Sequence, residues 1–490
     1  MEILGTTITA TGTVITIASA ALILNIFNMF VWKNKLKHIP GPTPLPIVGH
    51  LLMKDATLTI KFLRKLSEKY GKILQYWPGS SPMVVLLDPN HVKQVLTDSH
   101  TFVKGPEYVE KFSKAFGEGL VTSTGEKHKS DRRLLGRFFV RSNIEKYLPM
   151  MSRHTHTLFD EMLHSLPEDQ LIGKDISHIF HLITNHMIHN FAIGVDLTET
   201  EEGRNWIDWM SRTILKGNDI VGKSIIMGLP MSRFLPDTRW LLAQVEKANS
   251  KCDGFVQDRI KLRQSDAKDS EPDDILKAML DANLSKKEIR EHFVTIMTAG
   301  HDTTSWLLSY TSYLLATNPE VQKKLKAEIK GVVGDARYVT SENLKDMKYL
   351  TMTIKEALRL YSVIPFITRL ATKDVSLRGT KVKIPKGCTV LMSPSMLSRD
   401  GDQWEDPNKF RPERFENISD QDMKRGYIPF AYGTRRCVGM AFAQTEAAVV
   451  LTHLLQTYTL SPMEGYKPKP AFGISLMSEN GMRVNLSRDK

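Results

Sequence analysis

The 490-residue sequence carries three cysteines, Cys252, Cys388 and Cys437, and no two of them form a CxxC. That scarcity excludes a disulfide framework and a cysteine-rich zinc module. There is no internal repeat with a period of about 20 to 50 residues and no low-complexity tract, which excludes solenoids and arrays. No dense basic block stands out either. Sixty-six Lys and Arg against 54 Asp and Glu leave +12 spread along the chain, and no aromatic-interleaved strand offers a surface for base stacking. The sequence therefore predicts no nucleic-acid partner. An acidic protein or an anionic membrane surface is the better use of the charge.

Charge is missing altogether between Ile3 and Trp32, a run rich in Ile, Leu, Ala, Val and Phe. About 20 apolar residues cross a bilayer as a helix. Thr6, Thr7, Thr9, Thr11, Thr13 and Thr16 lower the hydropathy, but threonine hydroxyls bond back to the preceding turn. A cleaved secretory signal would need a basic start and small residues at its end, whereas Glu2 precedes this run and Phe30, Val31 and Trp32 close it. The reading is a transmembrane anchor over 3–32. Lys33, Lys35, Lys37 and His38 follow it and keep the next segment cytosolic. Four prolines then fall between Pro40 and Pro46, so 33–46 is a basic stop with a semi-rigid strut, and 47–490 is the body.

Length alone suggests about three domains. Helical periodicity dominates, with short strand-like runs at Met83–Leu87, Thr389–Met392, near Val375 to Ile384 and at the carboxyl end. The expected fold class is mainly α with small β-sheets. Arg263 to Asp274 reads as a solvated loop. The clearest long helix starts at the capping box Ser285-Lys-Lys-Glu288 and stops at Asn318-Pro319. Its middle, Ala299-Gly300-His301-Asp302-Thr303-Thr304, puts two small residues, an acid and two hydroxyls where a buried helix should be apolar. Either two helices cross there with satisfied polar groups, or a groove admits a ligand beside an acid–alcohol pair that handles protons. Cys437 lies in Phe430-Ala-Tyr-Gly433-Thr-Arg435-Arg-Cys437-Val-Gly439, just before a helical run. A helix amino terminus and a nearby arginine favour a thiolate.

The segment Phe430 to Gly439 resembles the FxxGxRxCxG haem-binding signature of the cytochromes P450. Ala299 to Thr304 is similar to the family's (A/G)GxDT(T/S) segment, Glu356-Ala-Leu-Arg359 to its ExxR, and Phe410 to Phe415 to its PERF segment. The anchor, the strut and the motif order resemble the microsomal members, most of all the animal fatty-acid ω-hydroxylases and cholesterol side-chain hydroxylases. The resemblance spans essentially the whole chain, so the three-domain estimate gives way to one anchored domain with the P450 fold.

The resemblance implies a haem-thiolate monooxygenase that inserts one oxygen atom of O2 into a lipophilic substrate: a fatty acid, sterol or xenobiotic. Cys437 would be the proximal ligand of the iron in haem b, held without covalent links to the macrocycle. Gly433 and Gly439 would admit the macrocycle, and Phe430 would shield the sulfur. Arg132, Arg369 and Arg435 would bind the propionates. His128 stands where relatives usually carry a propionate-binding tryptophan. Asp302 and Thr303 would relay protons, which disfavours the two alternatives, a P450-type peroxide isomerase or dehydratase and a non-catalytic haem sensor. Glu356, Arg359 and Arg414 would form a structural ion network. Pocket positions by resemblance are Phe293, Ile296, Met297, Ala299, Ile364, Phe366, Ile367, Ile474 and Leu476. Electrons would come from NADPH through NADPH–cytochrome P450 reductase, with cytochrome b5 as an optional second partner. The expected location is the endoplasmic reticulum membrane, single-pass in the lipid, with the catalytic domain facing the cytosol.

Overall fold

The computed structural model describes residues 2–53, 60–226, 231–266, 268–419, 422 and 424–489. The first helix, α1 (Glu2–Lys35), runs past the expected end of the anchor. Its last turns dock on the body: Asn25 donates to Ser80 Oγ at 3.1 Å, and Met29 and Leu36 are buried with Trp77, Val84 and Val390. The side chains of Thr6, Thr7, Thr9, Thr11 and Thr13 lie outside those described. Among the described residues, no helix is long and apolar enough to cross a membrane.

The proline strut is tied down rather than slack. Pro40 O accepts from Gln75 N at 2.8 Å, Ile39 O accepts from Gln75 Nε2 at 2.8 Å, and Pro42 O lies 3.0 Å from His50 Nε2. A Cβ on Gly41 would lie 2.5 Å from the Gln75 carbonyl oxygen, so only glycine allows this approach.

Gln75 belongs to the larger sheet, made of β1 (Ile73–Tyr76), β2 (Met83–Leu86), β3 (Phe102–Val103), β4 (Ile367–Ala371) and β5 (Thr389–Met392). Their spatial order is β1-β2-β5-β4-β3. β2 and β5 pair in parallel, Val84 opposite Val390, and the other neighbours are antiparallel. Val375–Ser376 pairs with Lys383–Ile384, and Tyr458–Pro462 with Arg483–Arg488. The hairpin β6 (Pro470–Phe472) and β7 (Leu476–Ser478) turns at Gly473–Ser475.

The helices that position the site are α2 (Pro106–Phe116), α3 (Gly125–Gly136), α4 (Ser177–Ile193), α5 (Glu201–Ile226), α6 (Pro236–Gln264), α7 (Lys286–Thr317), α8 (Lys348–Leu360) and α9 (Met440–Thr457). α7 is the long helix the sequence predicts, 32 residues with the Ser285–Glu288 capping box formed at both bonds. At 1.5 Å per residue it spans roughly 48 Å, enough to cross the whole body. One continuous cluster of buried apolar side chains, from Leu120 to Leu486, surrounds it, as one domain requires. The loop expected over Arg263 to Asp274 is less solvated than its composition suggests. α6 continues to Gln264, and Arg259 grips Asp274 at 2.7 Å and 3.0 Å with both side chains buried. Asp274 also caps the next short helix through Lys277 N, and composition cannot reveal that burial.

Candidate active site

The two readings of the middle of α7 divide residue by residue. Gly300 belongs to a helix crossing: a Cβ there would lie 2.6 Å from Ile188 Cγ1 of α4. His301 is fully buried on that side, its Nε2 3.1 Å from His181 Nδ1. Ala299, by contrast, is exposed in mid-helix and Thr303 is half-buried, although the helix on either side is packed. Thr303 Oγ1 donates to Ala299 O at 2.8 Å, which leaves its lone pairs free to accept.

Asp302 is buried. Its Oδ2 accepts from Asn218 Nδ2 of α5 at 2.8 Å, and Oδ1 has no hydrogen-bond partner. Burial pushes its carboxyl up to about 6, while nearby Ser475, Trp306 and Asn218 pull it back down.

The loop before α9 is shaped by backbone geometry. Ala431 and Gly433 take φ of 58° and 75°, and a Cβ on Gly433 would lie 2.3 Å from Leu96 O. Gly433 is thus required by the turn and by the neighbouring chain. Cys437 N donates to Phe430 O at 2.8 Å, which closes the loop; Phe430 itself packs half-buried on the main core. Gly439 is different. Its φ of −83° suits any residue, and an added Cβ would meet Phe139 only at 3.8 Å and the Cys437 sulfur at 4.0 Å. The space beside the sulfur is one that protein atoms leave open, and Cys437 is exposed to it. The sulfur still sits deep in the fold. Desolvation pushes the thiol up, against the Gly439 N–H and Arg132, which lower it. The helix terminus and arginine therefore do not by themselves produce the thiolate expected from sequence; a metal cation bound to sulfur would supply the missing charge.

Arg132 (α3), Arg369 (β4) and Arg435 come together, and a fourth cation, Lys104, joins them. Each hydrogen-bonds a backbone carbonyl: Arg132 to Arg436 O at 2.6 Å, Arg369 to Thr368 O at 2.8 Å, Arg435 to Ser123 O at 2.8 Å, and Lys104 to Val121 O. None pairs with a carboxylate among the described residues. Burial and the neighbouring Arg369 and Arg435 hold the Lys104 ammonium well below its usual range. Burial, then Arg369, brings Arg435 down to about 10. His128 is buried in the same cluster, and burial followed by Arg435, Lys104 and Arg132 pushes it down to about 4, so it is neutral and can donate a hydrogen bond. Crowded cations without protein anions are what a dianionic cofactor edge would satisfy, so these residues fit haem propionates.

Glu356, Arg359 and Arg414 form the expected network. Arg359 donates to both Glu356 oxygens at 2.6 Å and 2.9 Å, and Arg414 Nε and Arg411 N both donate to Oε1 at 2.9 Å. Arg359 also donates to Ser398 O, Pro407 O and Lys409 O. Glu356 and Arg359 have no exposed surface.

The pocket positions divide. Ile474 lines a small apolar cavity of about 50 Å³ with Phe116, Ile214, Asn218, Leu241 and Thr298. Ile364, Phe366 and Ile367 are half-buried, and Phe366 meets Phe472 with ring centroids 5.8 Å apart. Phe293 instead packs in the core against His189 and Phe255. Ile296 and Met297 are likewise buried in that core, and Leu476 is buried with its N–H on Val363 O. Sequence reasoning missed Lys104, Asn218 and Ser475. Only Asn218 left a signal, a polar side chain between the buried Ile214 and Val221 on one face of α5.

The cytochrome P450 family model matches residues 39–485. Cytochrome P450 4d2 of Drosophila melanogaster is 28% identical, covering 97% of this chain and 98% of that protein. Cytochrome P450 4V2 of Mus musculus is 29% identical over 97% and 95%. Cytochrome P450 3A6 of Oryctolagus cuniculus is 31% identical over 86% and 85%.

Proposed function

We propose, from the premise that the chain belongs to the cytochrome P450 family and is a haem-thiolate monooxygenase, that it hydroxylates a lipophilic substrate of the fatty-acid, sterol or drug-like class. Electrons come from NADPH through NADPH–cytochrome P450 reductase, with cytochrome b5 as an optional donor. The observation that carries the reading is the exposed Cys437 together with four cations that have no carboxylate partner among the described residues.

Haem b, held by the Cys437 thiolate, supplies the redox chemistry that activates molecular oxygen. The chain's own residues do the rest. Lys104, Arg132, Arg369 and Arg435 would neutralise the propionates, and neutral His128 would donate a hydrogen bond to them. Gly439 keeps the space beside the sulfur clear. Thr303 offers lone pairs to a water, and Asp302 replenishes protons, its raised pKa matching a group that must both hold and release one near neutrality. Residues 3–32 anchor the chain as a single pass in the endoplasmic reticulum membrane, with the catalytic domain from 47 onward on the cytosolic side. Leu22, Ile23, Leu24, Ile26, Phe27 and Phe30, all exposed on α1, support that placement.

The test is direct. Reduced protein with carbon monoxide should give the red-shifted Soret band of thiolate-ligated haem, and Cys437→Ala should abolish it. Fatty acids, sterols and drug-like lipids are then screened for spectral shifts in the ferric protein, and for substrate-dependent NADPH use with reductase. No shift and no NADPH use with any of the three classes would refute the substrate reading.

A further inference from the structure

Asn218 makes four hydrogen bonds, and together they fix which way its amide points. Its Oδ1 accepts from the backbone N–H of Ile474 at 2.6 Å and of Ser475 at 3.2 Å. Backbone N–H groups can only donate, so the atom facing them is the oxygen. The NH2 group therefore faces the other way, donating to Asp302 Oδ2 at 2.8 Å and Ser475 Oγ at 2.7 Å. One side chain thus joins α5, α7 and the β6–β7 turn, and it is buried. The contact is close-fitting: a Cβ on Gly222, one turn further along α5, would lie 2.3 Å from Gly473 Cα. Asn218 also borders the apolar cavity that Ile214 and Ile474 line.

We infer that Asn218 is a positioning residue for proton delivery: it engages Asp302 through Oδ2 and leaves Oδ1 as the oxygen that takes up and hands on the proton. This rests on the reading of Asp302 as a proton carrier. A donor on Oδ2 suits both states of the acid, since the neutral carboxyl then keeps its proton on Oδ1 and the ionised one keeps a partner. The same side chain touches the cavity and holds the acid, so substrate seated against α5 and the β6–β7 turn stabilises the arrangement in which Asp302 is correctly aimed.

Asn218→Asp separates holding the turn from aiming the acid. A carboxylate still accepts from Ile474 N and Ser475 N, but its second oxygen sets a like charge against Asp302 Oδ2, so the two carboxyls share one proton and Asp302 loses the fixed N–H donor that aimed it. The expected result is that the amides of Ile474 and Ser475 keep their hydrogen-exchange protection and substrate affinity, read by spectral shift, stays near that of the parent. Product per NADPH falls several-fold while hydrogen peroxide rises. Asn218→Ala should lose the amide protection as well as the coupling. Asp302→Asn is run beside them. Parent-like coupling in Asn218→Asp, with Asp302→Asn impaired, overturns the inference and leaves Asp302 as the carrier. Parent-like coupling in Asp302→Asn overturns the underlying reading itself. All ratios are taken per haem. If Asn218→Asp does not bind haem, Asn218→Ala decides, and parent-like coupling there also overturns the inference.

Discussion

Two clusters of arginine lie within the same fold and obey opposite rules. Around Glu356 every charge is answered from within: Arg359 and Arg414 share one carboxylate and spend their remaining N–H groups on loop carbonyls. Around Lys104, Arg132, Arg369 and Arg435 the cations face one another, and each hydrogen-bonds a backbone carbonyl rather than a carboxylate among the described residues. The residue types are nearly identical. What differs is whether the protein closes the charge balance itself. A closed cluster holds the fold; an open one awaits a ligand of the opposite sign.

Breaking the closed cluster should have the largest effect. Glu356→Ala strands two guanidiniums and should cost on the order of 3 to 5 kcal/mol, read as lost folded protein or a much lower Tm. Asp302→Asn should act in the opposite direction. The folded pKa of about 6 lies above the ordinary 3.8, so the native state holds a proton that the unfolded chain releases between those values. The buried acid therefore costs stability that is absent below about pH 4 and fully felt above about pH 6. Removing it should raise stability at neutral pH by about 3 kcal/mol, with no gain at pH 4 in a pair of denaturation curves; an equal gain at both pH values would contradict the buried acid.

Opening the open cluster further is gentler. Lys104→Met relieves cation crowding, so the haem-free protein should be unchanged or more stable, while haem dissociates faster in a transfer assay. A strongly destabilised apoprotein would mean the cluster is closed by the fold after all. Thr303→Ala should move stability least, within about 0.5 kcal/mol, yet shift the hydrogen peroxide to product ratio upward with NADPH use retained.

What the sequence made legible was local. Ser285 to Glu288 and Pro319 bounded the long helix because caps and stops act within one turn. Glu356 and Arg359 were legible because three residues put them on one face of α8. Cys437 and its glycines stood together in one loop. Long-range closure was not legible: Asn218 meets Asp302 across 84 residues and Ser475 across 257, and periodicity carries no information at that distance. Gly300 carried a signal whose meaning only Ile188 supplies. Lys104 looked like any lysine after a short strand, and the burial that pushes the free Cys437 thiol up is a long-range property that a sequence cannot weigh.

The docked end of α1 and the pinned strut have a mechanical consequence. Met29 and Leu36 are seated beside Trp77, and Gln75 bonds both the Ile39 and the Pro40 carbonyls. Helix and sheet therefore turn together as a lever with no slack joint. If the helix is held in a bilayer, the body does not pivot freely above it but meets the lipid at one attitude, so the tilt of a single helix sets which rim of the enzyme faces the membrane. Gln75 is the pin of that lever, and shortening its side chain would change orientation before it changed chemistry.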